Sequence, residues 1–290
     1  MPPLHNPACF ASHMGLWAVD ATFMRGALAA VQSGAWKMRA ETPAAPEGPG
    51  YYMAAPGIAE ILISGAMMKG RSKFGGTSTV DARRAVRLAA ADKAVDGIMI
   101  HIDSSPGGTV AGTDELATDI RAAMRRKPVE AHIDDMGASA ALWVASQAGY
   151  LSANRTAEVG SIGVFAVVVD ESQALEAEGV KVHVISTGPH KGAGVAGAPV
   201  TDDHLAEFQK RVDQVNQHFQ AALKLGRPGV NLSEVSDGRV FSAADAKGLG
   251  LIDNVSSYEA AIRHLESSIA SRNATPARDR AAARLALSTL

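Results

Sequence analysis

Gly97-Ile98-Met99-Ile100-His101-Ile102 is an apolar run that ends in Asp103-Ser104-Ser105-Pro106-Gly107-Gly108, and a helical pattern follows from about Val110 to Arg126. A buried strand, a Pro-Gly-Gly turn and a helix in that order make one βα unit of a layered domain. Glycines in such a turn let the backbone come close to a bound molecule and leave N–H groups unpaired there. Amides so placed can hold a developing oxyanion.

The alternation continues on both sides of this unit. A strand pattern over residues 59–64 and a helix over 80–91 precede it. A strand over 129–134 and an almost wholly apolar helix over 139–148 follow it. Next come extended segments at 150–153 and 163–170, a helix at 172–178 and a strand at 181–186. Strands alternating with helices predict an α/β domain with a largely parallel sheet. A long helix over 201–225 opens on the cap signal Thr201-Asp202-Asp203 and closes at Gly226 before Pro228. Its Leu205, Phe208, Val212, Val215 and Phe219 recur at helical spacing, as a core-packing stripe does.

Gly137-Ala138-Ser139-Ala140-Ala141-Leu142-Trp143 sets a serine at a corner between strand and buried helix, with the Ala140 amide pointing out of the helix start. A serine hydroxyl is a weak nucleophile until a base takes its proton. His132 precedes it on the same strand, His183 falls in the strand pattern of 181–186, and His204 and His218 lie on the long helix. None has an evident acidic orienting partner in the sequence. A lysine is the alternative base, provided burial holds its amine well below the usual value of about 10.4. Lys191 in Thr187-Gly188-Pro189-His190-Lys191-Gly192-Ala193-Gly194 is the candidate, with a surface lysine in a glycine-rich loop as the plainer reading.

Four blocks occur together: Ile102 to Gly108, Gly137 to Trp143, Val159-Gly160-Ser161-Ile162-Gly163-Val164, and Gly238-Arg239-Val240-Phe241 with Ala246-Lys247-Gly248-Leu249-Gly250-Leu251-Ile252-Asp253. In this order they resemble the signal peptide peptidase A family of serine proteases, including its branch of phage head-maturation proteases similar to minor capsid protein C. The resemblance runs from about Gly57 to Val255. It implies a Clp protease/crotonase-like layered fold, with Ser139 as nucleophile and Lys191, 52 positions on, as general base. It further implies that the backbone amides of Gly108 and Ala140 form the oxyanion hole and that Ser161 orients the lysine. Ser104 is an additional serine relative to the family's usual Asp-Ser-Pro-Gly-Gly, and Ala140-Ala141 stands where many members have Gly-Gly.

Composition agrees with a soluble, compact catalytic domain, and neither a cofactor nor a metal is expected. Hydrophobic residues make up 47% of 290, enough for a large core, and a net charge of -2 offers no electrostatic case for nucleic acid. A single cysteine, Cys9, excludes an intramolecular disulfide framework and suggests a reducing, cytoplasmic setting, in the host cytoplasm or prohead for a phage protein. No run approaches the roughly 18 apolar residues of a membrane span, and no secretory signal pattern precedes Arg25.

Three regions are expected: an amino-terminal arm and Pro/Gly linker over 1–50, the protease domain over 51–268, and a basic, Ala-rich, disordered tail over 269–290, a self-processing substrate if the chain follows phage relatives in which a cleaved segment follows the protease. The arm holds a short helix, residues 21–32, between Trp17 and Trp36, and these aromatic residues suggest docking onto the same chain, a second copy or a capsid protein. The expected activity is Ser-Lys endopeptidase cleavage of extended peptides in capsid maturation, within a homo-oligomer, with capsid or scaffold protein as substrate. Rival readings are a cytoplasmic quality-control protease, a crotonase-type acyl-CoA enzyme, and a catalytically silent capsid or portal assembly protein.

Overall fold

The computed structural model describes the backbone of residues 15–33, 44, 47–73 and 75–288, and the side chains of all of these except 31–32 and 275–288. Cys9, Trp36 and half of the expected linker, residues 41–43 and 45–46, lie outside the described residues.

The chain begins with β1 (Trp17–Val19) and α1 (Ala21–Gln32), then forms β2 (Tyr52–Ala55), β3 (Ile58–Ser64), β4 (Met67–Met68), β5 (Thr77–Ser78) and α2 (Thr79–Ala91). The central units follow: β6 (Gly97–Asp103), β7 (Gly107–Thr109), α3 (Thr113–Met124), β8 (Val129–Ile133), β9 (Met136–Ala138) and α4 (Ala140–Ala145). β10 (Tyr150–Ala153), β11 (Glu158–Gly160), α5 (Ser172–Ala177) and the long α6 (Asp202–Gly226) come next. The described chain closes with α7 (Leu232–Val235), β12 (Val240–Ser242), α8 (Ala243–Gly248), β13 (Asn254–Val255) and α9 (Tyr258–Ser288).

Six strands form the main sheet in the order β13-β10-β8-β6-β3-β2. All neighbours are parallel except β2 and β3. The fold is therefore the layered α/β class with a largely parallel sheet. Side chains alternate along each strand, so Ile61, Ile63, Ile98, Ile100, Ile102, Ala131 and Ile133 face one side. There they join Ala85, Val86 and Ala89 of α2, Leu116 and Ile120 of α3, and all of α4 in one core. The opposite face, with Ile58 and Met99, is covered by Ala261 and Leu265 of α9.

Between the sheet and α9 also lies a polar network that the sequence did not disclose. His101 bonds Glu60 through Nδ1 (3.0 Å) and Asp134 through Nε2 (2.7 Å), and the hydroxyls of Tyr52 and Tyr258 both donate to Glu60. Burial works against a charge on His101, but the hydrogen bonds to Glu60 and Asp134 outweigh it and its pKa is raised. Desolvation dominates at His132, whose pKa is lowered.

Two expectations need adjustment. Residues 181–186 pair with no strand among the described residues; Val180, Val184 and Ile185 stand exposed, Ile185 at 98%. The apolar stripe of α6 reaches the core only in its second half, where Phe219 and Leu223 are fully buried, while Leu205 is 46% exposed. The backbone of α9 is helical as far as Ser288.

Leu265 is fully buried against Ile58 and Met99. Leu265→Ala is expected to destabilise the protein by about 2 to 5 kcal/mol, through lost burial and the cavity left behind, measured by denaturant titration.

Candidate active site

Ser139 lies between the end of β9 and the start of α4, with φ 54° and ψ −116°. An L-residue pays roughly 1 to 3 kcal/mol for a backbone of this kind and keeps it only where the surroundings enforce it. Here the Ser139 N–H donates to the Gly160 carbonyl of β11 (2.8 Å), and its own carbonyl accepts from the Trp143 N–H (2.9 Å). Every residue of α4 is buried, and the Trp143 ring stacks on Phe219 of α6 with centroids 4.7 Å apart. The corner thus cannot relax without moving the core. Its Oγ is fully buried and has no hydrogen-bond partner among the described residues. A buried hydroxyl without a partner forfeits about 1 to 3 kcal/mol, so it calls for a functional explanation.

The glycine turn after β6 presses on this corner. The Ser105 N–H donates to the Met136 carbonyl (2.7 Å), the Ala138 N–H donates to the Ser105 carbonyl (3.0 Å), and Ser105 Oγ donates to the Gly65 carbonyl (2.8 Å). The extra residue, Ser104, is absorbed at φ 48°. Gly107 has φ 93°, and a Cβ there would meet the Ala18 carbonyl oxygen at 2.3 Å, the Ala140 amide nitrogen at 2.9 Å and Ser139 Cβ at 2.9 Å. At Gly108 a Cβ would fall 1.8 Å from the Met67 carbonyl oxygen. Both glycines are therefore set by close backbone approach, as their place in the turn suggested.

Ser161 follows β11, which runs parallel to β9, and its N–H donates to the Arg239 carbonyl (2.7 Å). It too is left-handed, at φ 53°. Ser104, Ser139 and Ser161 are the non-glycine residues with positive φ among the described residues, and the turn, β9 and β11 bring all three to one corner. Ser161 also lines a cleft with Val19, Gly163, Asp213, Asn216 and Asp237, and Asn216 Oδ1 is buried there without a partner among the described residues. The sequence did not single out Asn216; its position three residues before the buried Phe219 on α6 was the available signal.

The structure thus brings Ser139, Gly108, Ala140 and Ser161 together. Lys191 lies exposed in a turned loop, its N–H donating to the Gly188 carbonyl (3.0 Å). Because the Ser139 hydroxyl has no partner, Lys191 is not within hydrogen-bond reach of it inside one described chain. His132 does have an acidic neighbour, Asp134, at 3.5 Å, besides a 2.8 Å hydrogen bond to Ser152 Oγ. It nevertheless cannot serve Ser139: strand alternation turns Ala131 and Ile133 toward α4 and His132 toward Tyr258 of α9. Among the described residues no cluster of three or more His, Cys, Asp or Glu side chains fits a metal ion, and no helix is long and apolar enough to cross a membrane.

The parallel α/β core thus carries a strained serine at a strand-to-helix corner beside a glycine turn. Residues 121–271 match Peptidase family S49, and the chain belongs to that family. It is 32% identical over 229 residues to capsid assembly protease C of Escherichia phage lambda, covering 76% of this chain and 51% of that protein. It is 28% identical over 211 residues to Protease 4 of Salmonella typhi, covering 71% and 33%. Its identity to a head-tail preconnector protein of an Enterobacteria phage is 29% over 210 residues, covering 70% and 42%. The chain therefore spans a third to a half of the length of these relatives. Among solved structures it is similar to a ClpP1 variant from Listeria monocytogenes, at 14% identity and TM-score 0.44, covering 68% of this chain and 91% of that one.

A methyl group at Gly107 would collide with backbone on the Ser139 side. Gly107→Ala is expected to destabilise by about 1 to 3 kcal/mol in denaturant titration. Gly26, in α1 with open space around it, is the control: Gly26→Ala is expected to stabilise by up to about 1 kcal/mol.

Proposed function

We propose that the chain is a serine endopeptidase in which Ser139 attacks a peptide carbonyl and Lys191 takes its proton. The amides of Gly108 and Ala140 hold the oxyanion, and Ser161 orients the lysine. Water, activated by the same lysine, then releases the acyl group. The observation that carries this reading is the Ser139 hydroxyl, buried and unpartnered among the described residues on a strained corner, against a turn whose two glycines admit no side chain.

The lysine must be desolvated to act as a base. Its loop, exposed among the described residues, gains that by contact with another copy of the chain or with substrate. Exposed Val180, Val184 and Ile185 on the same stretch favour a homo-oligomer, since apolar side chains this prominent are normally covered. The likeness to the capsid protease of phage lambda supports a capsid or scaffold protein as substrate and a place in capsid maturation, in the host cytoplasm or prohead.

Ser139→Ala and Lys191→Ala are each expected to lower hydrolysis of an unfolded protein substrate by about 10³-fold or more, with unchanged circular dichroism. Full activity in either variant contradicts the assignment. Wild-type protein that cleaves nothing, while Ser139→Ala still forms the same complexes, points instead to a silent assembly protein on this fold.

A further inference from the structure

β1 runs antiparallel to β7 in the register Trp17 to Thr109, Ala18 to Gly108 and Val19 to Gly107. On its other side the Trp17 N–H donates to the Phe165 carbonyl and the Phe165 N–H donates to the Trp17 carbonyl, both at 2.9 Å. Residues 16–20 are thus an extended peptide held by main-chain bonds between the glycine turn and the segment after Ser161, the way a cleft takes an added strand.

The register says more. The Asp20 N–H donates to the Pro106 carbonyl (2.7 Å) and the Val110 N–H donates to the Leu16 carbonyl (3.2 Å), so Asp20/Pro106 and Leu16/Val110 are hydrogen-bonding pairs. In an antiparallel ladder such pairs alternate, which makes Ala18/Gly108 the next one and turns the Gly108 N–H toward the Ala18 carbonyl. One point confirms the crowding: the place where a Cβ on Gly107 would sit is within 3 Å of the Ala18 carbonyl oxygen, the Ala140 amide nitrogen and Ser139 Cβ. The methyl of Ala18 is fully buried and belongs to the main core. Trp17 and Val19 point the other way, into a cluster with Met24, Phe23, Met68 and Phe165.

From this we infer that Leu16-Trp17-Ala18-Val19-Asp20 is an internal peptide seated in the substrate cleft, with Ala18 in the place of the residue whose carbonyl the serine attacks. The inference rests on the proposed peptidase reading for what the cleft is for. Two consequences follow from the seating. The arm competes with external peptides, so it must leave before they bind. External peptides enter as extended chains in the same direction, with a small residue in the place of Ala18, because that side chain meets closed core.

The test uses the full chain with Ser139→Ala and a fluorescein-labelled peptide of sequence Leu-Trp-Ala-Val-Asp, titrated by fluorescence anisotropy. Binding is compared after adding Ala18→Arg, whose cation the closed core rejects, or the milder Trp17→Ala, which removes the ring from its contact with Phe165. Circular dichroism checks that each variant is folded. An arm that fills the cleft most of the time reduces apparent affinity by the fraction of time the cleft is open, so about tenfold tighter binding or better is expected in the arm variants. A control peptide with arginine in place of alanine is expected not to bind. Unchanged affinity in folded arm variants, no binding in any of them, or equal binding of the arginine peptide overturns the inference. Binding needs no nucleophile, so the peptidase reading, tested by the activity of wild type against Ser139→Ala, can fail while this result stands, and the reverse.

Discussion

Ser139 keeps a backbone conformation that a side-chain-bearing residue holds only under compulsion, and the compulsion comes from three directions. β11 accepts its N–H, α4 grips its carbonyl, and the stacked pair Trp143 and Phe219 anchors α4 from behind. The hydroxyl that results is fixed in place and left without a partner among the described residues. Much of the remaining architecture follows from keeping that corner rigid: the parallel sheet delivers β9 and β11 side by side, and the glycine turn closes in at backbone distance.

The strands and helices around Gly97 to Ala145 were legible in the sequence because each is an apolar run bounded by turn residues, and burial on both faces leaves little else for such runs to do. The site corner was legible for a related reason, since a serine between a strand pattern and a helix with no polar side has few places to go. What the sequence hid were the two- and three-residue strands, such as β4, β5, β7 and β12, which carry no period of their own and exist only because a neighbour pairs with them. The network of Glu60, His101, Asp134 and Tyr258 was hidden for the same reason. Its members are far apart along the chain and meet only across the sheet and under α9.

Residues 181–186 illustrate the opposite case. Val182, Val184 and Ile185 carry a strand-like pattern, yet no strand among the described residues pairs with them, and Ile185 is almost entirely exposed. A pattern that a single chain leaves unused is best understood as part of a surface completed by another chain. Lys191 lies a few residues further on, so the same contact that covers the apolar residues would change the surroundings of the lysine. Catalysis and assembly are in this account one problem, whereas the glycine turn and the Ser139 corner meet within one chain.

The most direct measurement is covalent labelling of the assembled wild-type protein with a fluorophosphonate, followed by peptide mapping in the mass spectrometer. The account predicts one adduct per chain, on Ser139, and its loss in Lys191→Arg, where a cation that does not give up its proton replaces the base. Modification of a different serine, or undiminished labelling of Ser139 in Lys191→Arg, would contradict it.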